Sequence, residues 1–403
     1  MGIRSTTAAP ASKHLDPRCA GGAIRASATV ALAVLLAGGC ARNYDPATAR
    51  RAFSSKDQSI ARAERARRSA AFEMPVIPEG PVELATPQGG ESRGIPVLSD
   101  DERANATRIL REAARNEWAM LRANAVEASA ANPALLAELA PAALADANRG
   151  VRFVACMAIA KARTPDLCAL ATPLLLDESP SVQAAALLAL SRCGQSPDLT
   201  PLAAMCRSDD PEVRANAFLV LGELGNESAR ALILDSIGKG MRLVNPIRVR
   251  LVDLTAAEAL VRLGDSAEIE PIRAALFAPP EQAELSVVAC DIIGNLRDEV
   301  SRPMLERLVN VDGENRRAPE IRLAATRALL RLGGSGDAAT AVAAEYAAHP
   351  DPRVRAQVAS VLAEARTPLA LAALAALIRD SDPTVQVAAA GGIDTVHQVA
   401  AAD

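Results

Sequence analysis

The chain has 403 residues, a formal net charge of -4, and is 50% hydrophobic but only 2% aromatic. Alanine makes up roughly a fifth of it, far above average usage, so its core must be built from Ala, Leu and Val. That argues against a β-sandwich or barrel, whose strands favour aromatic and β-branched residues, and the eight scattered aromatics nearly exclude a stacking platform for bases or sugars.

The first 25 residues carry Arg4, Lys13, Arg18 and Arg25 against one acid, Asp16. An apolar run over residues 26–39 follows and ends at Cys40. Such a run is too short to span a bilayer but fits the core of a signal peptide. Leu36-Ala37-Gly38-Gly39-Cys40 resembles the lipobox of bacterial lipoproteins. The resemblance implies diacylglyceryl attachment at Cys40 and cleavage just before it. Ala41 after the cysteine, by the same resemblance, implies the periplasmic face of an outer membrane. The alternative is a soluble secreted or periplasmic protein cut near Ala37–Gly39. Residues 1–39 are thus expected to be a lipoprotein-type signal peptide.

Residues 40–98 read as an anchored tether. Between 41 and 72 eight bases face three acids, which suits contact with anionic headgroups or a solvated, partly helical spacer. From 73 to 98 the chain holds Pro75, Pro78, Pro81, Pro87 and Pro96 with Gly80, Gly89 and Gly90, a linker composition. Ser99-Asp100-Asp101-Glu102 then reads as a helix start.

From about residue 115 the chain repeats itself. Asp210-Pro-Glu-Val-Arg-Ala and Asp351-Pro-Arg-Val-Arg-Ala are two copies. With the apolar residue after the proline as position zero, copies start at Leu121, Val151, Val182, Val213, Val252, Leu285, Ile321, Val354 and Val385. Repeats of this length mean a solenoid, propeller or array. In the copies from Val151 onward, positions 0, 4, 7, 8 and 11 are apolar or small, one helical stripe rather than strand alternation. Pro180, Pro211, Pro319, Pro352 and Pro383 suit the first helical turn, and Ser179, Asp210, Asp351 and Asp382 suit its N-cap. Gly194, Gly225, Gly264 and Gly333 suit its C-terminal end. Shorter apolar runs at 133–145, 166–177, 198–207, 229–237, 268–277, 302–311, 338–347 and 368–379 supply second helices. Each copy is a helical hairpin that must stack on neighbours to bury its apolar face.

The Asp-Pro-x-Val-Arg start and the Val-Arg-x-x-Ala-x-x-Ala-Leu-x-x-Leu-Gly run resemble the HEAT family in its short form, related to lyase-type repeats. The resemblance implies an all-α fold: an α-solenoid superhelix of about nine antiparallel hairpins over residues 99–403. The first and last copies depart most from the pattern, as end copies with one exposed face would.

No Ser/His/Asp or Cys/His catalytic set can be nominated. The three histidines are His14, His349 and His397, with no pair at metal-ligand spacing and no phosphate loop. No metal and no cofactor is expected. Residues 99–403 hold 31 bases and 40 acids, a net -9, which repels phosphate, so nucleic acid is not an expected partner. Cys156 and Cys290 read as small core residues. Cys168 begins one helix and Cys193 ends its antiparallel partner, so the two can meet as a disulfide or remain free thiols.

At position 1 stand Arg152, Gln183, Arg214, Arg322, Arg355 and Gln386. They are either a polar ladder that contacts a partner or ion-pairing residues that join neighbouring copies through acids such as Asp210 and Asp351. The longest connection inserts residues 238–248 and, with Arg250, concentrates Lys239, Arg242, Arg248 and Arg250 on an acidic body. Arg316 and Arg317 lie in another long connection. Together these features suggest a non-enzymatic, membrane-anchored scaffold or adaptor that binds a protein partner in the bacterial cell envelope. The alternatives are a lyase-type enzyme or chromophore-handling protein on the same fold, and a structural envelope spacer.

Overall fold

Short polar residues and proline set the helix starts. Ser99 Oγ accepts from the Glu102 N–H at 3.2 Å, and the Glu102 carboxylate accepts from the Ser99 N–H at 3.0 Å, a reciprocal capping box. Asp210, Asp351 and Asp382 each accept from the N–H two residues on, at 2.8, 2.8 and 2.7 Å. Ser179 makes no such bond. At the helix ends Gly194, Gly225, Gly264 and Gly333 are all left-handed. Arg163, Arg297 and Arg366 occupy the same place with φ of 53–55°, where a side chain is strained by about 1 kcal/mol or more.

The computed structural model describes residues 98–241 and 244–400. Among these residues there are eighteen α-helices and no strands. They pair as nine hairpins: α1 (Asp100–Ala113) with α2 (Ala119–Ala128), α3 (Pro133–Leu144) with α4 (Arg149–Ala162), α5 (Pro165–Ala169) with α6 (Pro180–Arg192), α7 (Pro201–Met205) with α8 (Pro211–Leu224), α9 (Ala229–Ser236) with α10 (Pro246–Arg262), α11 (Ile269–Ala275) with α12 (Ala283–Leu296), α13 (Arg302–Asn310) with α14 (Pro319–Arg331), α15 (Gly336–Ala344) with α16 (Pro352–Ala365), and α17 (Pro368–Leu377) with α18 (Pro383–Ala400). The run expected at 166–177 is a helix of five residues followed by a 3₁₀ turn over Thr172–Leu176. Pro173, which lacks an N–H and clashes with the preceding turn, breaks it.

The even helices pack side by side, each on the next, from α2 through to α18. The odd helices find their main partners among the even ones. Close packing on one side and extra width on the other make each hairpin a wedge, with the even helices innermost. A Cβ added to Gly222 would stand 2.8 Å from Ala259 Cα, and one on Gly294 would stand 2.9 Å from Ala328 Cα. The inner helices therefore approach backbone to backbone.

Nine wedges close a circle. Helix α18 packs on both α1 and α2, as α2, α4, α6, α10, α14 and α16 each pack on both helices of the following hairpin. Asn132 Nδ2 donates to Asp394 Oδ1 at 3.0 Å across this seam. A Cβ on Gly391 would stand 2.7 Å from Ala128 Cβ. The all-α solenoid of stacked antiparallel hairpins is as expected; the expectation of an exposed face on the end copies is corrected, since the first and last hairpins cover each other. Residues 1–97, including the leader, Cys40 and the tether, lie outside the described residues.

Candidate functional site

The position-1 residues form clasps between hairpins. Arg152 donates through Nε and Nη2 to the two carboxylate oxygens of Asp177, at 2.8 and 2.9 Å, on the next hairpin. Its Nη1 donates to the carbonyls of Asp146 and Ala147 in its own connection. Arg122 repeats the arrangement with Asp146 and the carbonyls of Asn116 and Glu117. Arg355 repeats it with Asp380, His349 and Pro350. Gln183 and Gln386 donate to the carbonyls of Asp177 and Asp380. The acids used sit five residues before position zero. Asp210 and Asp351 cap their own helices instead. The hydrogen bonds from Arg122 and Arg355 hold Asp146 and Asp380 below the usual carboxylate range.

Two clasps lack the aspartate and improvise. Arg214, 1% exposed, donates to the carbonyls of Ser208, Ser236 and Lys239. The inserted segment thus folds back on hairpin α7–α8: Met241 is buried and its N–H donates to Asp209 at 3.3 Å. Arg322 donates to the Val309 carbonyl, Glu345 and the Tyr346 hydroxyl, and its guanidinium lies 5.5 Å from the Tyr346 ring centre. Arg152, Arg214 and Arg322 are buried, so the ladder is a set of internal joints and not a free polar surface. Of the bases expected in the inserted loop, Lys239 pairs with Asp235 at the surface, while Arg248 and Arg250 lie on α10 instead; Arg250 is exposed and donates to Gln282, and Arg248 is half-buried. Arg242 lies outside the described residues.

A second polar system occupies the axis of the ring. It comes from positions 6 and 10 of the inner helices: Glu127, Lys161, Arg192, Glu223, Glu258, Arg262, Asp291, Arg327, Arg331 and Glu364. Five are acids and five are bases. Glu223 receives Arg192 at 2.6 Å and Arg262 at 3.4 Å, and Arg262 reaches Glu258 at 2.8 Å. Asp291 pairs with Arg327 and lies 3.6 Å from Arg331, which reaches Glu364 at 2.7 Å. The ring is narrow enough for Glu127 on α2 to feel Arg327 on α14, and for Lys161 on α4 to feel Glu364 on α16. Burial pushes the Glu127 carboxyl up to about 7, against the pull of Lys161 and Arg327. Burial likewise lowers Lys161 and raises Glu258. Sequence reasoning missed this axis. Its signal was present: position 10 reads Lys161, Arg192, Glu223, Arg262, Asn295, Arg331, Glu364 in seven successive copies. In a single hairpin such a residue looks like an ordinary solvated face.

Cys168 and Cys193 meet, with Cα atoms 6.3 Å apart and sulfurs in contact. Cys156 and Cys290 are fully buried in the core. Cys206 is buried too, and desolvation pushes its thiol up to about 12. Among the described residues no group of three His, Cys, Asp or Glu is placed to hold a metal, and no helix is long and apolar enough to cross a membrane.

No curated protein matches the chain. The family of HEAT repeats matches it over residues 136–210 and 314–394, which lie in two arcs of the ring on either side of the α8–α13 segment. On those arcs the hairpins are similar to HEAT repeats in sequence and build the helical scaffold with which that family serves protein–protein interaction.

Proposed function

We propose that this chain is an exported scaffold, held at an envelope membrane through a lipid on Cys40, that offers its ring to a protein partner. The observation that carries the scaffold reading is where the polar residues are used. The clasps and the axis consume them internally, so the nine hairpins form a rigid body whose contact surface is its rims and connections. Loops on such a frame carry recognition more readily than a packed interior. The connection over 237–245, which carries Lys239 and leads into Arg248 and Arg250 at the start of α10, is one of these. The address rests on the basic leader, the apolar run and the lipobox-like end at Cys40.

Two experiments test the two halves. Fractionation of cells carrying Cys40→Ser is expected to move the protein from membranes to the soluble fraction; membrane recovery equal to wild type would remove the anchor. Photo-crosslinkers placed at Lys239 and Arg250 in living cells are expected to trap one protein repeatedly, and shortening the 238–248 insertion is expected to abolish it. Dispersed products at both sites, unchanged by the shortening, would remove this loop from the binding surface.

A further inference from the structure

Trp118 is the one tryptophan of the chain. It stands at the N-cap of α2, where α4, α8, α10 and α16 carry the capping side chains Asn148, Asp210, Asn245 and Asp351. Trp118 makes no cap bond, which forgoes about 1 kcal/mol of helix stability. In return the indole is 57% exposed, with Met120 beside it 47% exposed. Among the described residues the indole N–H makes no hydrogen bond, and neighbouring Arg115, exposed, makes no ion pair. An aromatic face, a thioether, an indole donor and a cation are thus set together on the rim at the α1–α2 connection.

The chain outside the structure holds a segment of matching chemistry. Pro75, Pro78 and Pro81 recur at every third residue. In a polyproline II helix, with three residues per turn, this spacing would put all three rings on one face. Proline-rich segments of that kind dock on exposed aromatic side chains at low entropic cost, because they are pre-extended. Residues 72–84 also carry Glu73, Glu79 and Glu83 and no base, which suits Arg115. The reach fits. Helix α1 has 14 residues and carries the chain about 21 Å from Leu98 to the Trp118 rim. A flexible chain of 16 residues, the number from 82 to 97, would span about 20–24 Å. We propose that residues 75–81 of this chain dock on Trp118 and Met120, strapping the linker along the outside of the ring. This stands independently of the lipid anchor.

A lone tryptophan makes the test direct. Trp118 fluorescence and acrylamide quenching would be read on the full chain and on a Pro75→Ser, Pro78→Ser, Pro81→Ser variant, with thermal melting to show that both rings are folded. The expected result is a longer-wavelength emission and a several-fold larger quenching constant in the variant. A synthetic peptide of residues 72–84, added in excess, is expected to reverse both. Equal emission and equal quenching in the two chains would overturn the strap and leave the patch facing solvent or another protein. A change that Arg115→Glu fails to reproduce even partly would remove the charge contact from the proposal.

Discussion

Arg152 and Asp177 show how much one side chain can do in a repeat. Both are about nine-tenths buried and joined by two parallel hydrogen bonds. Removing one partner leaves the other charged, buried and unpaired. Arg152→Ala is therefore expected to cost about 3 kcal/mol, read as a lower urea midpoint. Asp146 and Asp380, held low by their arginines, add stability that is present above the ordinary carboxylate range and lost as pH falls through their lower folded-state values. Glu127 has the opposite sign. Its folded carboxyl keeps a proton up to about pH 7, against 4.5 as the ordinary value. Between those values the folded state binds more protons, so stability falls as pH rises through the window. Glu127→Gln is expected to raise the melting temperature at pH 8 and to leave it nearly unchanged at pH 4.5. An equal effect at both pH values would show that the carboxyl is ionised throughout.

At the scale of elements, helix starts and ends were legible because they depend on neighbours in sequence. Asp210, Asp351, Asp382 and the four glycines act where local rules place them. The lengths of α5 and α7 were not, since a proline such as Pro173 and tertiary packing decided how far each short helix runs. The brief α5 is tied to the end of α6 by the Cys168–Cys193 contact. If oxidised, a bond closing a loop of this length contributes about 3 kcal/mol. A non-reducing peptide map is expected to recover the linked pair, and Cys193→Ser to lower the melting temperature; free thiols at both positions would refute the bond. The inner seam offers another test. Gly391→Leu drives a side chain into Ala128. The expected outcome is a larger radius of gyration by X-ray scattering with helicity retained, at a cost of about 1–3 kcal/mol.

For the whole molecule, closure changes what a solenoid can do. An open array frays from its ends and needs capping repeats. Here α1, α2 and α18 cover one another. Amide exchange in α2 and α18 is expected to be as slow as in α8 and α10; fast exchange confined to these two helices would indicate an open array. Closure also withdraws the inner surface as an extended groove, since Phe153, Leu254 and Leu323 on the inner helices are buried and the axial charges pair with one another.

The sequence alone determined that this protein is built of helical hairpins in register, because the period and the apolar stripe are local and recur from copy to copy. It also marked position 1 as special without deciding between surface and joint. Only the tertiary structure decided that, because the Asp177 that buries Arg152 lies 25 residues away on the next hairpin. It alone decided the ring, because curvature is the sum of nine small wedge angles that no single copy reveals. The axial charges follow from the same cause: a residue such as Lys161 finds Glu364 only once the circle has closed.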